Sequence, residues 1–353
     1  MKTTPTNEDD SEFLRFFSEE SAFYAEEYDG QVTDQFSTAQ ELFIHALFRI
    51  ERLVDLIAKD ERLRFELKQK QALSPKLHGK LPAEICQMVN CLFKQYSDQY
   101  SYSPKVTLFF EACFAVGLQN ESLIAPLCRT QDGSYHYEKI NALIDHIQQG
   151  LRSPAFKRKQ KTASETIQRR IASATAYVDY LFRENGGSAR LIVLRVDFYY
   201  KRQYRHETTI DTVRQDMQRF LANRRNNQSL FQHLKGYLWK LEYGEQKGFH
   251  IHWLLFMDGR AVQNDFVWAS RFGQYWQTRI TQGRGYYNNG NARKDQFWHL
   301  GVGRIERNDD DKLSALKRFV IPYLAKTDQY LRAKQLGDKV KVFDRGQIEK
   351  PDD

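Results

Sequence analysis

Two histidines one residue apart, His250 and His252 in GFHIH (248–252), are the residues best suited to chemistry in this sequence. Alternation along a strand puts residues i and i+2 on one face, so both imidazoles project together while Ile251 points the other way. Two neutral imidazoles side by side form half of a divalent-metal site. YLWKLEYG and FHIHWLLFM read as two strands joined by the short loop GEQKG (244–248), a hairpin signal. That register pairs Tyr243 with Phe249 and Glu242 with His250, which makes Glu242 a third ligand from the neighbouring strand. A one-residue slip turns Glu242 away and leaves Glu245, in the loop, as the substitute. A plainer reading also fits: histidines exposed or satisfied on a sheet face. The pair alone does not choose between the two.

Seventy residues on, IPYLAKTDQY (321–330) sets Tyr323 and Lys326 at i,i+3 on one helix face, with Tyr330 two turns further. A phenol with a pKa of about 10 is a poor nucleophile at neutral pH. A metal that polarises a phosphate, with a lysine one turn away to balance charge, would supply what it lacks. Taken alone, the Tyr–Lys pair is as well explained as an ordinary helix surface.

The elements that position these residues are concentrated in the second half. RLIVLRVDFYY (190–200) is strand-like, and IDTVRQDMQRFLANRR (210–225) is helical. The hairpin follows, then a helix in DFVWASRFGQYWQTRI and a Gly-rich loop, QGRGYYNNGN. A strand in FWHLGVGRIE and a long helix in DKLSALKRFVIPYLAKTDQYLRAK, bent or restarted at Pro322, complete the series. The order β-α-β-β-α-β-α predicts a small α+β sandwich, an antiparallel sheet with helices on one face, over residues 189–335. Before it, residues 38–150 read as mostly helical, with no convincing alternating strand before residue 188. Residues 1–37 are a polar, partly disordered start, and 336–353 a polar tail.

Residues 151–188 hold a basic run, with Arg152, Lys157, Arg158, Lys159 and Lys161, and then a helix from Ser164 to Phe182. The run reads as a solvated linker or as a phosphate-contacting strip. A net charge of +8 with 19 Tyr and 24 Phe fits a nucleic-acid partner, although many soluble enzymes share such a balance. Cys86, Cys91, Cys113 and Cys128 lack the paired spacing of a zinc site and are expected to be buried, reduced thiols. No signal region and no membrane-length apolar run is present, so a cytoplasmic protein is expected.

GFHIHWLLF resembles the His-hydrophobic-His motif of the HUH endonucleases, and IPYLAK resembles their YxxK motif, in the same order and spacing. The stretch from Leu191 to Leu331, most of all LEYGEQKGFHIHWLLFMDG, is similar to the replication initiators of filamentous phages and related prophage islands. This resemblance implies an HUH-type sheet in which His250 and His252 bind Mn²⁺ or Mg²⁺ with Glu242 completing the site. Tyr323 would be the nucleophile and Lys326 its assistant, with Tyr330 a candidate second nucleophile. The first strand lacks the family's usual wording and is assigned no catalytic residue. The implied reaction is nicking of single-stranded or locally melted DNA at a replication origin. It proceeds through a 5′-phosphotyrosine link and starts rolling-circle replication with a host helicase and polymerase.

Arg284, Tyr286 and Tyr287, with Asn288 and Asn289, offer a cation, stacking rings and amides to a DNA strand; a plain surface turn explains them equally well. Trp253 is expected in the core, and His299 is either a partner of a metal ligand or a structural strand histidine. Two other functions compete: a relaxase for conjugative mobilisation, disfavoured because Tyr323 comes late in the chain, and a DNA-binding regulator that does not cleave.

Overall fold

A computed structural model describes residues 27–28, 31–32, 35–68, 76–78, 85–224, 228–244, 247–296, 299–326, 331–336 and 340–348. The chain forms two compact units, one of residues 38–166 with 329–331, the other of residues 1–37, 167–328 and 332–353.

The first unit is mostly helical, as the patterning predicts. Its helices are α1 (Gln35–Lys59), α2 (Ile85–Phe93), α3 (Pro104–Ala115) and α4 (His136–Arg152). Ile50, Val54 and Ile57 of α1 are buried, as are Val89, Phe109, Ile140 and Ile147, the apolar stripes that period 3.6 selects. Ser103 caps α3 by accepting a hydrogen bond from the Val106 amide, and Pro104 stands at its first turn. Before residue 188 the structure also has strands of two or three residues, Glu27–Tyr28 with Gln31–Val32 and Glu66–Lys68 with Lys76–His78. They are too short to show an alternating pattern. Cys86 and Cys113 are buried free thiols; Cys91 is exposed.

The basic run read as a linker is helical. Helix α5 runs from Pro154 to Leu181, with the Ser153 hydroxyl accepting the Phe156 amide at its start. Lysine, arginine and glutamine propagate a helix well once proline has opened it, so the run's charge concealed its structure.

The second unit is α+β. A six-stranded antiparallel sheet contains β1 (Arg190–Tyr200), β2 (Leu234–Gly244), β3 (Gly248–Asp258), β4 (Gly285–Asn289), β5 (Gly303–Glu306) and β6 (Phe343–Arg345). The order is β5-β1-β3-β2-β6, with β4 also on β1. Two strands exceed the expected series: β4 lies in the segment read as a Gly-rich loop, and β6 in the segment read as a tail. The side chain of Asn291 fills the interval between β4 and β5. Its Oδ1 accepts the Arg195 amide at 2.7 Å, and its Nδ2 donates to the Val193 carbonyl at 3.0 Å.

Helices α6 (Ile210–Ala222) and α7 (Asp265–Tyr275) cover one sheet face. There Phe198 stacks on Trp276 at 4.7 Å, and Trp253, the expected core residue, meets Phe220 at 5.0 Å. On the other face the second half of α5 approaches β2 at Gly236, where an added Cβ would lie 2.5 Å from the Tyr177 hydroxyl. The closing helix is continuous from Asp310 to Lys326: α8 (Asp310–Ala315), a π-turn over Leu316–Val320, and α9 (Ile321–Lys326). Pro322 has no N–H and crowds the preceding turn, which a wider π-turn relieves. The helix is described as far as Lys326, and Leu331–Ala333, expected inside it, is a strand. Among the described residues no helix is long and apolar enough to cross a membrane.

Candidate metal centre

The hairpin has the register that its loop length predicts. Tyr243 pairs with Phe249, and Glu242 with His250. Gly248 turns the chain at φ +65°, a conformation that L side chains rarely adopt. Its carbonyl accepts the Nδ1–H of His250 at 3.0 Å. His252 donates its Nδ1–H to Asp197 Oδ1 at 2.6 Å. Both rings are thereby fixed with Nε2 turned inward, 3.5 Å (His250) and 3.6 Å (His252) from Glu242 Oε2. Two imidazole nitrogens and one carboxylate oxygen lie within 4.8 Å of one another.

Such a set could hold a metal ion. Ligands bound at about 2.0–2.1 Å sit about 3–3.5 Å apart, close to the spacing here. Ligating histidines usually give their second ring N–H to a carboxylate or a backbone carbonyl, and this site has one of each.

The electrostatics follow from burial and pairing. Burial opposes the charged form of His252, but the carboxylates of Asp197 and Glu242 outweigh it and push its pKa up to about 9. For His250 burial wins, and its pKa is lowered. Burial also works against the Glu242 and Asp197 carboxylates, yet the two histidines hold Glu242 well below its ordinary range, and His252 with Arg195 lowers Asp197.

Asp197 was not among the residues singled out from the sequence. The signal was present: Arg195, Asp197 and Tyr199 alternate through an apolar strand, which puts two charges on one face. Pairing sets Asp197 opposite His252 and Tyr199 opposite His250. Lys240, also missed, pairs with His252 from β2 and is fully buried. Arg195, 4% exposed, holds its guanidinium 5.1 Å from the Tyr323 ring and its Nε 4.0 Å from Asp197.

Tyr323 is itself buried, on α9. Lys326 is the last described residue of that helix; its side chain, like all of Tyr330 and Glu245, lies outside the described residues.

The proposed DNA-contacting loop is strand β4, because its adjacent tyrosines suit pairing with β1. Tyr286 turns to the polar face and stacks on Tyr199 at 4.9 Å, whereas Tyr287 packs against Gly273 of α7. Arg284 donates to the Thr281 carbonyl and lies 3.5 Å from Asp216, and Asn289 is tied to Phe266 and Ser270. Strand β4 does not offer the five residues together on one open surface. His299 stands in a bend ahead of β5, outside the described strand, and stacks on Phe319 at 3.7 Å.

Residues 152–346, more than half of the chain, match the YagK/YfjJ C-terminal domain family. No curated protein and no solved structure matches the chain.

Proposed function

The chain belongs to the YagK/YfjJ C-terminal domain family, and we propose that it is an HUH-type DNA nicking and joining enzyme that starts rolling-circle replication of a phage, prophage or plasmid-like element. The observation that carries this reading is the arrangement on the polar sheet face. His250 and His252 turn Nε2 towards Glu242, and Tyr323 stands on the same face against Arg195.

Glu242, His250 and His252 would hold Mn²⁺ or Mg²⁺. A bound ion supplies Lewis-acid polarisation of a non-bridging phosphate oxygen. Asp197 accepts the Nδ1–H of His252, which keeps the ring oriented with Nε2 directed at the ion's place. The Tyr323 oxygen attacks phosphorus in line and gives up its phenolic proton. Its new O–P bond replaces the bond to the 3′ oxygen, which leaves as a protonated 3′-hydroxyl. Arg195 sets a positive charge against the ring on which negative charge develops. The tyrosyl phosphodiester conserves the bond, so a later 3′-hydroxyl can reverse the step, which hydrolysis would not allow. Lys326 is the family-type assistant on the same helix.

The burial of Tyr323 favours a second reading, a DNA-binding regulator on the same fold, because a DNA strand must displace whatever covers that ring. End-labelled single-stranded DNA from the protein's own element, incubated with Mn²⁺ or EDTA, separates the two. The enzyme gives a Mn²⁺-dependent adduct that survives denaturation and is lost in Tyr323→Phe. DNA binding with no adduct from any strand segment supports the regulator.

A further inference from the structure

Helix α5 carries a charged face that the proposed chemistry does not use. Between Arg152 and Arg170 the chain has seven basic residues and one acidic residue, Glu165. At helical spacing Lys157, Arg158, Lys161 and Arg169 share one side with Glu165, and all five are exposed. Phe156, Gln160, Ala163 and Ile167 take the opposite side and are half-buried. That side continues into Ala174 and Val178, which are buried. The cations are therefore directed outward by the packing of the other face.

Lys161 lies 3.8 Å from Glu165 across one turn, while Lys157 and Arg158 form no ion pair among the described residues. From Lys157 to Arg169 the helix rises about 18 Å at about 1.5 Å per residue. A nucleic-acid strand places about five phosphates over that length, one per about 3.4 Å. The match to the family begins at Arg152, so this helix lies within the matched part of the chain.

We infer that the outward face of α5 binds the phosphate backbone of duplex DNA. The inference rests on the DNA reading above and adds a surface apart from the metal centre. An anionic membrane is the other polyanion such a face could meet. A membrane-lying helix, however, needs large apolar side chains beside its cations. The exposed large apolar residues of this chain, such as Leu56, Ile124 and Phe266, are not on α5.

The test compares wild type with a variant carrying Lys157→Gln, Arg158→Gln, Lys161→Gln and Arg169→Gln. Duplex affinity is read by fluorescence anisotropy of a labelled duplex across a salt series. Adduct formation on a short single strand is measured in parallel. The variant is expected to bind duplex at least about tenfold more weakly, with a salt slope lower by up to about 3.6, since each of four lost phosphate contacts removes about 0.9. Adduct formation on the short strand stays unchanged. Equal duplex affinity and slope in the two proteins overturn the inference. So does a variant that loses only its co-sedimentation with phosphatidylserine vesicles, which would make the face a lipid contact. Absence of any adduct from wild type defeats the nicking reading instead, and leaves the duplex result to stand or fall by itself.

Discussion

The two faces of strand β3 are equally buried and chemically opposite. Ile251, Trp253 and Leu255 enter an aromatic core with Phe198, Phe220 and Trp276, where closeness of fit is all that matters. His250 and His252 enter a layer of Asp197, Lys240, Glu242 and Arg195, where every buried charge costs free energy unless a partner offsets it. A fold can obtain stability from the first face alone. The second face is retained at a cost, and its pairings converge on one point between three ligand atoms.

If this division holds, the two faces respond to mutation in different currencies. Trp253→Ala should cost stability, about 3–5 kcal/mol, because it opens a cavity among rings that cannot collapse to fill it. Urea denaturation measures this; a loss below 1 kcal/mol, as a rough bound, would mean the aromatic face is not the stabilising one. Asp197→Asn keeps the shape and the acceptor for His252 but removes the charge. Metal affinity should fall about 10- to 100-fold, as read by calorimetric titration of Mn²⁺. Unchanged affinity would reduce Asp197 to packing.

A third effect is graded by pH. His252, raised from 6.5 to about 9, stabilises the metal-free fold fully below pH 6.5 and loses that contribution as pH rises through 9. Metal needs the neutral ring, so affinity runs the opposite way. It should rise about tenfold per pH unit between pH 6.5 and 9 as one proton is displaced from His252. Competition titration with a metal indicator checks this, and a flat profile across that window would remove His252 from the ligand set.

The Glu242, His250 and His252 cluster was legible in the sequence because a hairpin is local: one short loop fixes which residues face one another. Asp197 and Lys240 were not singled out, although the same alternation rule carries them. Their contribution depends on which strands become neighbours, and β1 reaches β3 from fifty residues away. The charge of the α5 run concealed a helix, since composition reports solvation before it reports backbone. In the same way QGRGYYNNGN carried turn residues at both ends of a strand that only β1 could reveal. Residues 38–150 gave their helices, but no motif from which to read their task.

The central claim is that the polar face of the sheet holds one divalent ion between Glu242, His250 and His252. Calorimetric titration of Mn²⁺ into the metal-free protein, beside a variant carrying both His250→Ala and His252→Ala, tests it most directly. One ion per chain is expected in the wild type and none in the variant. No binding by the wild type, or equal binding by both proteins, would contradict it.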